Sequence, residues 1–208
     1  MVAALSTYGL AGGTGDGASG RAVLSPVTLE AVRRRDPDAL GELFEACFGR
    51  VYSLAHRLTG TREQAEDVTQ EVFLKVHNAA GQLDPTRDPG PWLATITYNA
   101  CREFWRSRGH RQERKTGTIN GDDGIRDTLV NGRRSPERRV MNGEQKTLVE
   151  KAIRLLPEEM RAVVLLHDFE GLSHAEVAEA TGESHAAVRK RYSRALTRLH
   201  DQLKDVLE

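Results

Sequence analysis

The chain is poor in cysteine, in aromatic residues and in long apolar runs. Its two cysteines, Cys47 and Cys101, lie far apart and in no C-x-x-C pattern, which argues against a disulfide framework or a thiolate zinc site and suits reduced thiols. Aromatics make up 5% of the residues, few for a large sheet. No apolar stretch approaches the ~18 residues that a membrane span needs. The opening MVAALSTYGLAGG is neither a basic leader nor a sustained apolar segment, so the sequence reads as a cytoplasmic protein without membrane insertion.

Signs of catalysis are also missing. There is no glycine-rich phosphate loop, nucleophile elbow or carboxylate pair in a recognisable setting. Seven histidines invite a search for a metal site, but His167, Asp168 and His174 straddle a helix end and a new cap rather than standing at H-E-x-x-H spacing. The expectation is therefore a protein that is not an enzyme, with no catalytic residue, no metal and no cofactor.

Net charge is the last absence, since 30 basic residues balance 30 acidic ones. Net charge averages over surfaces that face different things, however, and the local runs are unbalanced. From 101 to 115, Arg102, Arg106, Arg108, Arg111, Arg114 and Lys115 oppose Glu103 and Glu113, six minus two or +4. From 185 to 204, Arg189, Lys190, Arg191, Arg194, Arg198 and Lys204 oppose Asp201, six minus one or +5. Between 63 and 71 the sign reverses, with Glu63, Glu66, Asp67 and Glu71 and no basic residue. Such segregation predicts two DNA-facing patches and one acidic face for another partner.

What is present is helical periodicity. Residues 1–27 are rich in Gly, Ala, Ser and Thr without an apolar period and predict a disordered tail. From Leu40, the residues Leu43, Phe44, Phe48, Val51, Tyr52, Ala55 and Leu58 have the spacing of one buried helical stripe that ends at Gly60. Thr61 with Gln64 reads as a capping box, opening a helix whose inward face is Ala65, Val68, Val72 and Val76. A third helix starts near Pro91, after a loop with three prolines. These helices form a first domain over 28–112. A polar, glycine-bearing linker follows over 113–144; a flexible chain of roughly thirty residues has an r.m.s. span on the order of 30 Å and holds nothing at a fixed separation. The second domain, 145–208, has a helix around Leu148, Val149, Ala152, Ile153 and Leu156, a restart at Pro157, and an inward face of Met160, Val163, Val164 and Leu166. Ser173 with Glu176 makes a second capping box, and Gly182 stops that short helix. The fold class is all-α, two small helical domains joined by a flexible linker, the C-terminal one a helix-turn-helix.

In a helix-turn-helix the second helix enters the major groove. Here Ser184 can cap it, and Val188, Tyr192, Ala195 and Leu199 form a stripe that can lock it to the preceding helices. Arg189, Lys190, Ser193 and Arg194 fall on the opposite side, where arginine can reach guanine bidentately, while backbone N–H groups around Ser184 and His185 can meet phosphate.

Three blocks in order, AEDVTQEVFLKVH (65–77), PWLATITYNACREFWRSR (91–108) and LPEEMRAVVLLHDFEGLSHAEVAEATG (156–182), closely resemble the extracytoplasmic-function sigma factors of bacterial RNA polymerase. The resemblance covers about residues 36–203. It implies a protein that binds core polymerase, recognises -10 and -35 promoter elements and initiates transcription of a specific gene set. In that family the helix resembling AEDVTQEVF docks on the clamp helices of the polymerase largest subunit. Asp67, Gln70, Glu71 and Leu74 recur there at three, one and three, on one face away from Val68 and Val72. The third helix matches the -10 reader, with Asn99 in the place of the usual asparagine, Arg102, Arg106 and Arg108 following at helical spacing, and Trp92 with Leu93 as the anchoring pair. Carry-over to the -35 reader gives Ser184, His185, Arg189, Lys190, Ser193 and Arg194. A second polymerase surface for the C-terminal domain and an anti-sigma factor are further implied partners.

The sequence departs from the family twice. Many members border the loop before the third helix with aromatics that capture an unstacked base; this chain has Leu83 and no aromatic from 81 to 91. At the -35 helix the frequent P-x-G-T-V-K-S-R is replaced by residues 184–191, with Lys190 in place of a small residue. The alternative, a stand-alone helix-turn-helix regulator, needs a dimer interface to match two half-sites, and the acidic face and second basic helix discriminate against it.

Overall fold

The computed structural model describes residues 24–112 and 147–207, with side chains at 24–107 and 147–204. Among them every regular element is helical, which agrees with the all-α expectation. The expected linker, 113–144, and the tail up to residue 23 lie outside the described residues.

The first half opens with a helix that the composition did not reveal. α1 (Pro26–Arg33) is capped by Ser25, whose hydroxyl accepts from Thr28 N–H at 3.0 Å, and it buries Leu29 and Val32. Pro26 and Val27, which the composition groups with the expected tail, are therefore helical. Eight residues give barely two turns, too few for a legible apolar period. α2 (Pro37–Thr59) starts at the Asp36 cap and buries Leu43, Val51, Leu54, Ala55 and Leu58. Here the single-stripe expectation needs correction. Phe44 is 44% and Phe48 42% exposed, and both rings lie against Phe73 on the flank of the core rather than inside it. Leu43, Val51, Leu54 and Leu58 fill the inward face, so the two phenylalanines sit beside that row.

α3 (Arg62–Ala79) begins where Thr61 Oγ1 accepts from Gln64 N–H, and it buries Ala65, Val68, Val72 and Val76 as the spacing requires. A short 3-10 turn (Ala80–Gln82) leads to Leu83, which is buried. α4 (Gly90–Gln112) starts beside Asp88, whose carboxylate accepts the Gly90 N–H at 2.9 Å. It inserts Leu93, Ala94, Tyr98 and Cys101 into the core, with Trp92 packed on the margin. Burial pushes the Cys101 thiol up to about 12, so it behaves as a small apolar group.

In the second half, α5 (147–154) contributes Val149, Ala152 and Ile153, and α6 (Glu158–Val164) follows Pro157. After Val164 the helix widens, over Leu165–Phe169, into a π-helical turn. The short α7 (His174–Thr181) carries the full capping box: Ser173 N–H donates to Glu176 at 2.8 Å, and Glu176 N–H donates to Ser173 Oγ at 3.2 Å. Gly182, at φ 72°, takes the left-handed conformation that turns the chain toward α8 (His185–Leu207), a conformation costly for residues with a Cβ. Val188, Tyr192, Ala195 and Leu199 are all buried, as expected, and burying each of the larger side chains contributes about 1.5–3 kcal/mol.

The two halves touch. Arg50 on α2 makes an ion pair with Glu170, Nε to Oε2 at 2.6 Å, and Arg161 on α6 donates to the Leu58 carbonyl at 3.1 Å. Arg57 lies 4.7 Å over the Phe169 ring and 3.5 Å from Glu150. No helix among the described residues is long and apolar enough to cross a membrane.

Candidate nucleic-acid interface and docking face

Three sets of side chains were expected to do the work, and the helices place each differently. Asp67, Gln70, Glu71 and Leu74 are all exposed along one face of α3, Leu74 at 63%, because Ala65, Val68, Val72 and Val76 turn the opposite face into the core. An exposed leucine among carboxylates is a pattern of contact surfaces, where an apolar centre sits in a polar rim. The acidic face is partly compensated: Arg62 pairs with Glu66 at 2.7 Å, and Lys75 bridges Glu71 at 3.4 Å and Glu103 at 2.9 Å. Glu103 belongs to α4, so Lys75 ties the docking face to the third helix. Between them runs an open groove of about 440 Å³ lined by Asp67, Glu71, Glu103 and Phe104.

On α4 the expected -10 set is divided. Arg106 is exposed, Asn99 is half-buried, and the side chain of Arg108 lies outside the described residues. Arg102 is half-buried and engaged: its Nη1 donates to the Thr181 carbonyl, at the end of α7, at 3.1 Å. Tyr98, buried one turn earlier, is held above its ordinary value by burial and lies near Arg102, Glu183 and Arg191. The sequence could not reveal this, because Arg102 and Thr181 are 79 residues apart. Leu83, which replaces the family's loop aromatics, packs into the core, while Arg87 from the same loop faces Glu176 at 4.0 Å.

The -35 set is the most regular. Ser184, His185, Arg189, Lys190, Ser193 and Arg194 are all exposed on α8, and Ser184 Oγ caps it by accepting from Ala187 N–H at 3.2 Å. Arg191, in the middle of the basic run, is not part of that row. It pairs with Glu159 at 3.1 Å and with Glu183, fixing α8 to α6 and to the turn.

His167 and His174, which the sequence offers only as poorly spaced metal ligands, belong to a cluster of rings at the start of α8. His167 stacks on His174 with centroids 4.1 Å apart, His185 is 6.4 Å from His174, and Tyr192 meets both stacked rings edge-on at 4.9 and 5.0 Å. Burial first, and then His167, His185 and Arg189, hold His174 below the ordinary imidazole range. Asp168, in the same turn, is held above the usual carboxylate range by burial, against the opposing effects of the Tyr192 hydrogen bond and of His167. Among the described residues no group of three or more His, Cys, Asp or Glu is arranged to hold a metal ion.

Residues 43–111 match the family model described as Sigma-70 region 2, and residues 146–199 match Sigma-70, region 4. The chain is 31% identical over 180 residues to the RNA polymerase sigma factor NccH of Alcaligenes xylosoxydans xylosoxydans, covering 84% of this chain and 94% of that protein. It is 34% identical over 163 residues to the ECF RNA polymerase sigma factor SigE of Mycolicibacterium smegmatis, covering 78% of this chain and 60% of that one. The share of the curated relatives' own length that the chain spans thus varies, falling to 40% for the Xanthomonas campestris sigma factor RfaY. The fold is similar to the sigma factor RpoE of Bartonella quintana, solved in complex with the anti-sigma factor NepR, with a TM-score of 0.62, 21% identity and coverage of 79% of this chain and 96% of that one. With both regions matched in order and a relative of similar length aligned nearly end to end, the chain belongs to the extracytoplasmic-function sigma factors of RNA polymerase.

Proposed function

We propose that this sigma factor docks on the clamp helices of the polymerase largest subunit through Asp67, Gln70, Glu71 and Leu74, reads the -10 element with Asn99, Arg102, Arg106 and Arg108, and reads the -35 element with Ser184, His185, Arg189, Lys190, Ser193 and Arg194. The carrying observation is the separation of charge on the folded surface. An acidic face with an exposed leucine stands on α3, the arginines of α4 adjoin it across the Lys75 bridge, and α8 carries an exposed basic row. Domain 28–112 serves the polymerase clamp and the -10 element, 113–144 links, and 145–208 serves the -35 element and a second polymerase surface.

The chemistry follows from those surfaces. Acidic side chains around an apolar contact steer and orient a basic partner. Arginine and lysine on α8 offer phosphate neutralisation and bidentate guanine contacts. Strand opening demands unstacking energy of a few kcal/mol per base, which two small readers offset only within a larger assembly. The protein has no reaction of its own, acts in the cytoplasm, and has an anti-sigma factor as a further partner, the kind of partner with which RpoE of Bartonella quintana is found in complex. Permanganate reactivity of promoter thymines tests the reading. We expect opening with polymerase and protein together, not with either alone, and loss of it in Asn99→Ala with Arg102→Ala. Opening by the protein alone, or capture of DNA but not of core polymerase, would favour a stand-alone regulator.

A further inference from the structure

We propose that the histidine cluster at the start of α8 couples DNA binding to proton uptake: a phosphate held at His185 and Arg189 draws a proton onto the stacked rings, and the helix binds duplex DNA more tightly in mild acid. The proposal rests on the reading of α8 as the -35 helix. Its physical basis is the arrangement of three imidazoles where that helix begins.

Separate elements bring the rings together. His167 comes from the π-helical turn, His174 is the first residue of α7, and His185 is the first of α8. The first two rings are stacked with centroids 4.1 Å apart, and Tyr192 closes the pair edge-on. At that separation two positive charges oppose each other strongly, so the stack accepts one proton far more readily than two. His167 Nδ1 donates to the Leu172 carbonyl at 2.7 Å, a bond that the ring keeps in either charge state. His174 Nε2 is buried without a hydrogen-bond partner, whereas His185 is exposed, its ring centroid 6.4 Å from that of His174. The cluster thus has an inner ring short of a partner and an outer ring that a nucleic-acid strand can reach.

Charge decides when the cluster takes a proton. The groups that face His174 are His167 from the π-helical turn and His185 and Arg189 from α8, and all of them, with burial, disfavour its charged form in the free protein. The nearby carboxyl groups are committed elsewhere. Asp168, which faces His167, accepts from the Tyr192 hydroxyl at 2.8 Å, and Glu176, on α7 itself, accepts from Ser173 N–H and faces Arg87 at 4.0 Å. A DNA phosphate set against His185 and Arg189 cancels the repulsion from that arginine and adds negative charge beside the rings. Linkage then runs both ways: DNA makes the cluster more basic, and by reciprocity the protonated cluster binds DNA more tightly. The gain is complete below the pKa of the free protein and absent above that of the complex. An upward shift of about one unit on binding corresponds to about tenfold in affinity.

The test uses the full chain and a random-sequence DNA duplex, since phosphate contacts do not depend on sequence. EDTA is present throughout, and circular dichroism checks helical content at each pH. From about pH 7.5 to about pH 5.5 the affinity of the native protein should rise about tenfold. Calorimetry in two buffers of different ionisation enthalpy should show uptake of about one proton per protein bound near about pH 6.5. His174→Gln should flatten the affinity profile and remove most of the uptake, and His185→Asn, at an exposed position, should lower both. His200→Gln, exposed on the same helix but outside the cluster, should keep the native profile. A native profile flat in pH, or proton uptake that survives both His174→Gln and His185→Asn, would overturn the proposal, as would loss of the pH dependence in His200→Gln. Absence of duplex binding at every pH would instead overturn the reading of α8 on which the proposal stands.

Discussion

Tyr192, on the buried face of the basic helix, donates its phenolic hydrogen to Asp168 Oδ1 at 2.8 Å, across 24 residues of chain. This bond joins α8 to the π-helical turn, so the orientation of the exposed row Arg189, Lys190, Ser193 and Arg194 depends on a carboxylate that the row never touches. The other oxygen, Asp168 Oδ2, is buried without a partner. Removing the phenol leaves the carboxyl group with still less compensation. Tyr192→Phe should therefore destabilise the protein by about 1–3 kcal/mol, read as a lower urea midpoint. Asp168→Asn, which can still accept from Tyr192, should cost less.

The histidine stack should make stability fall in mild acid. His174 binds a proton less readily in the folded protein than in the unfolded chain, because burial and the neighbouring His167, His185 and Arg189 disfavour its charged form. A base with a depressed folded pKa favours folding while neutral; that contribution is present above the ordinary imidazole range and is lost as pH falls through it. Asp168 has the opposite sign, since its raised pKa favours the fold when protonated, and its replacement by Asn isolates the histidine contribution. Urea midpoints should therefore drop between about pH 7.5 and about pH 5.5, and His174→Gln should flatten that drop. A native profile that is flat across the window would refute the assignment.

Reversing the docking face should cost polymerase affinity without loss of fold. Asp67 and Glu71 are exposed, and Lys75 retains Glu103 at 2.9 Å if Glu71 is replaced. Asp67→Lys with Glu71→Lys should weaken core binding by about tenfold or more, chiefly through slower association at low salt. Unchanged affinity by surface plasmon resonance would exclude this face.

Salt dependence should separate Arg191 from its neighbours. If Arg189, Lys190 and Arg194 each neutralise a phosphate, log affinity for duplex DNA should fall with log salt at a slope of about -3 from these three contacts. Arg189→Ala or Arg194→Ala should each reduce the slope by about one. Arg191→Ala should leave the slope alone and lower stability, because Arg191 is occupied by Glu159 and Glu183.

Local pattern alone determined a good part of this protein. The i, i+3, i+4 spacing of Ala65, Val68, Val72 and Val76 and of Val188, Tyr192, Ala195 and Leu199 decided which faces turn inward, and so left Asp67, Glu71, Arg189 and Arg194 outward. Such faces are legible because helix periodicity is a property of neighbours in sequence. Ser173, Glu176 and Ser184 marked helix starts for the same reason, since a cap acts within one turn. What periodicity could not decide was which apolar residue at the margin of a stripe is covered, and Phe44 and Phe48 went to the outside. Nor could it see pairings between distant segments. Arg50 and Glu170 are 120 residues apart, and Arg102 and Thr181 79; in sequence each is one charged or polar residue among many. Only packing of the two halves brings a carboxylate and a carbonyl within reach of those guanidinium groups.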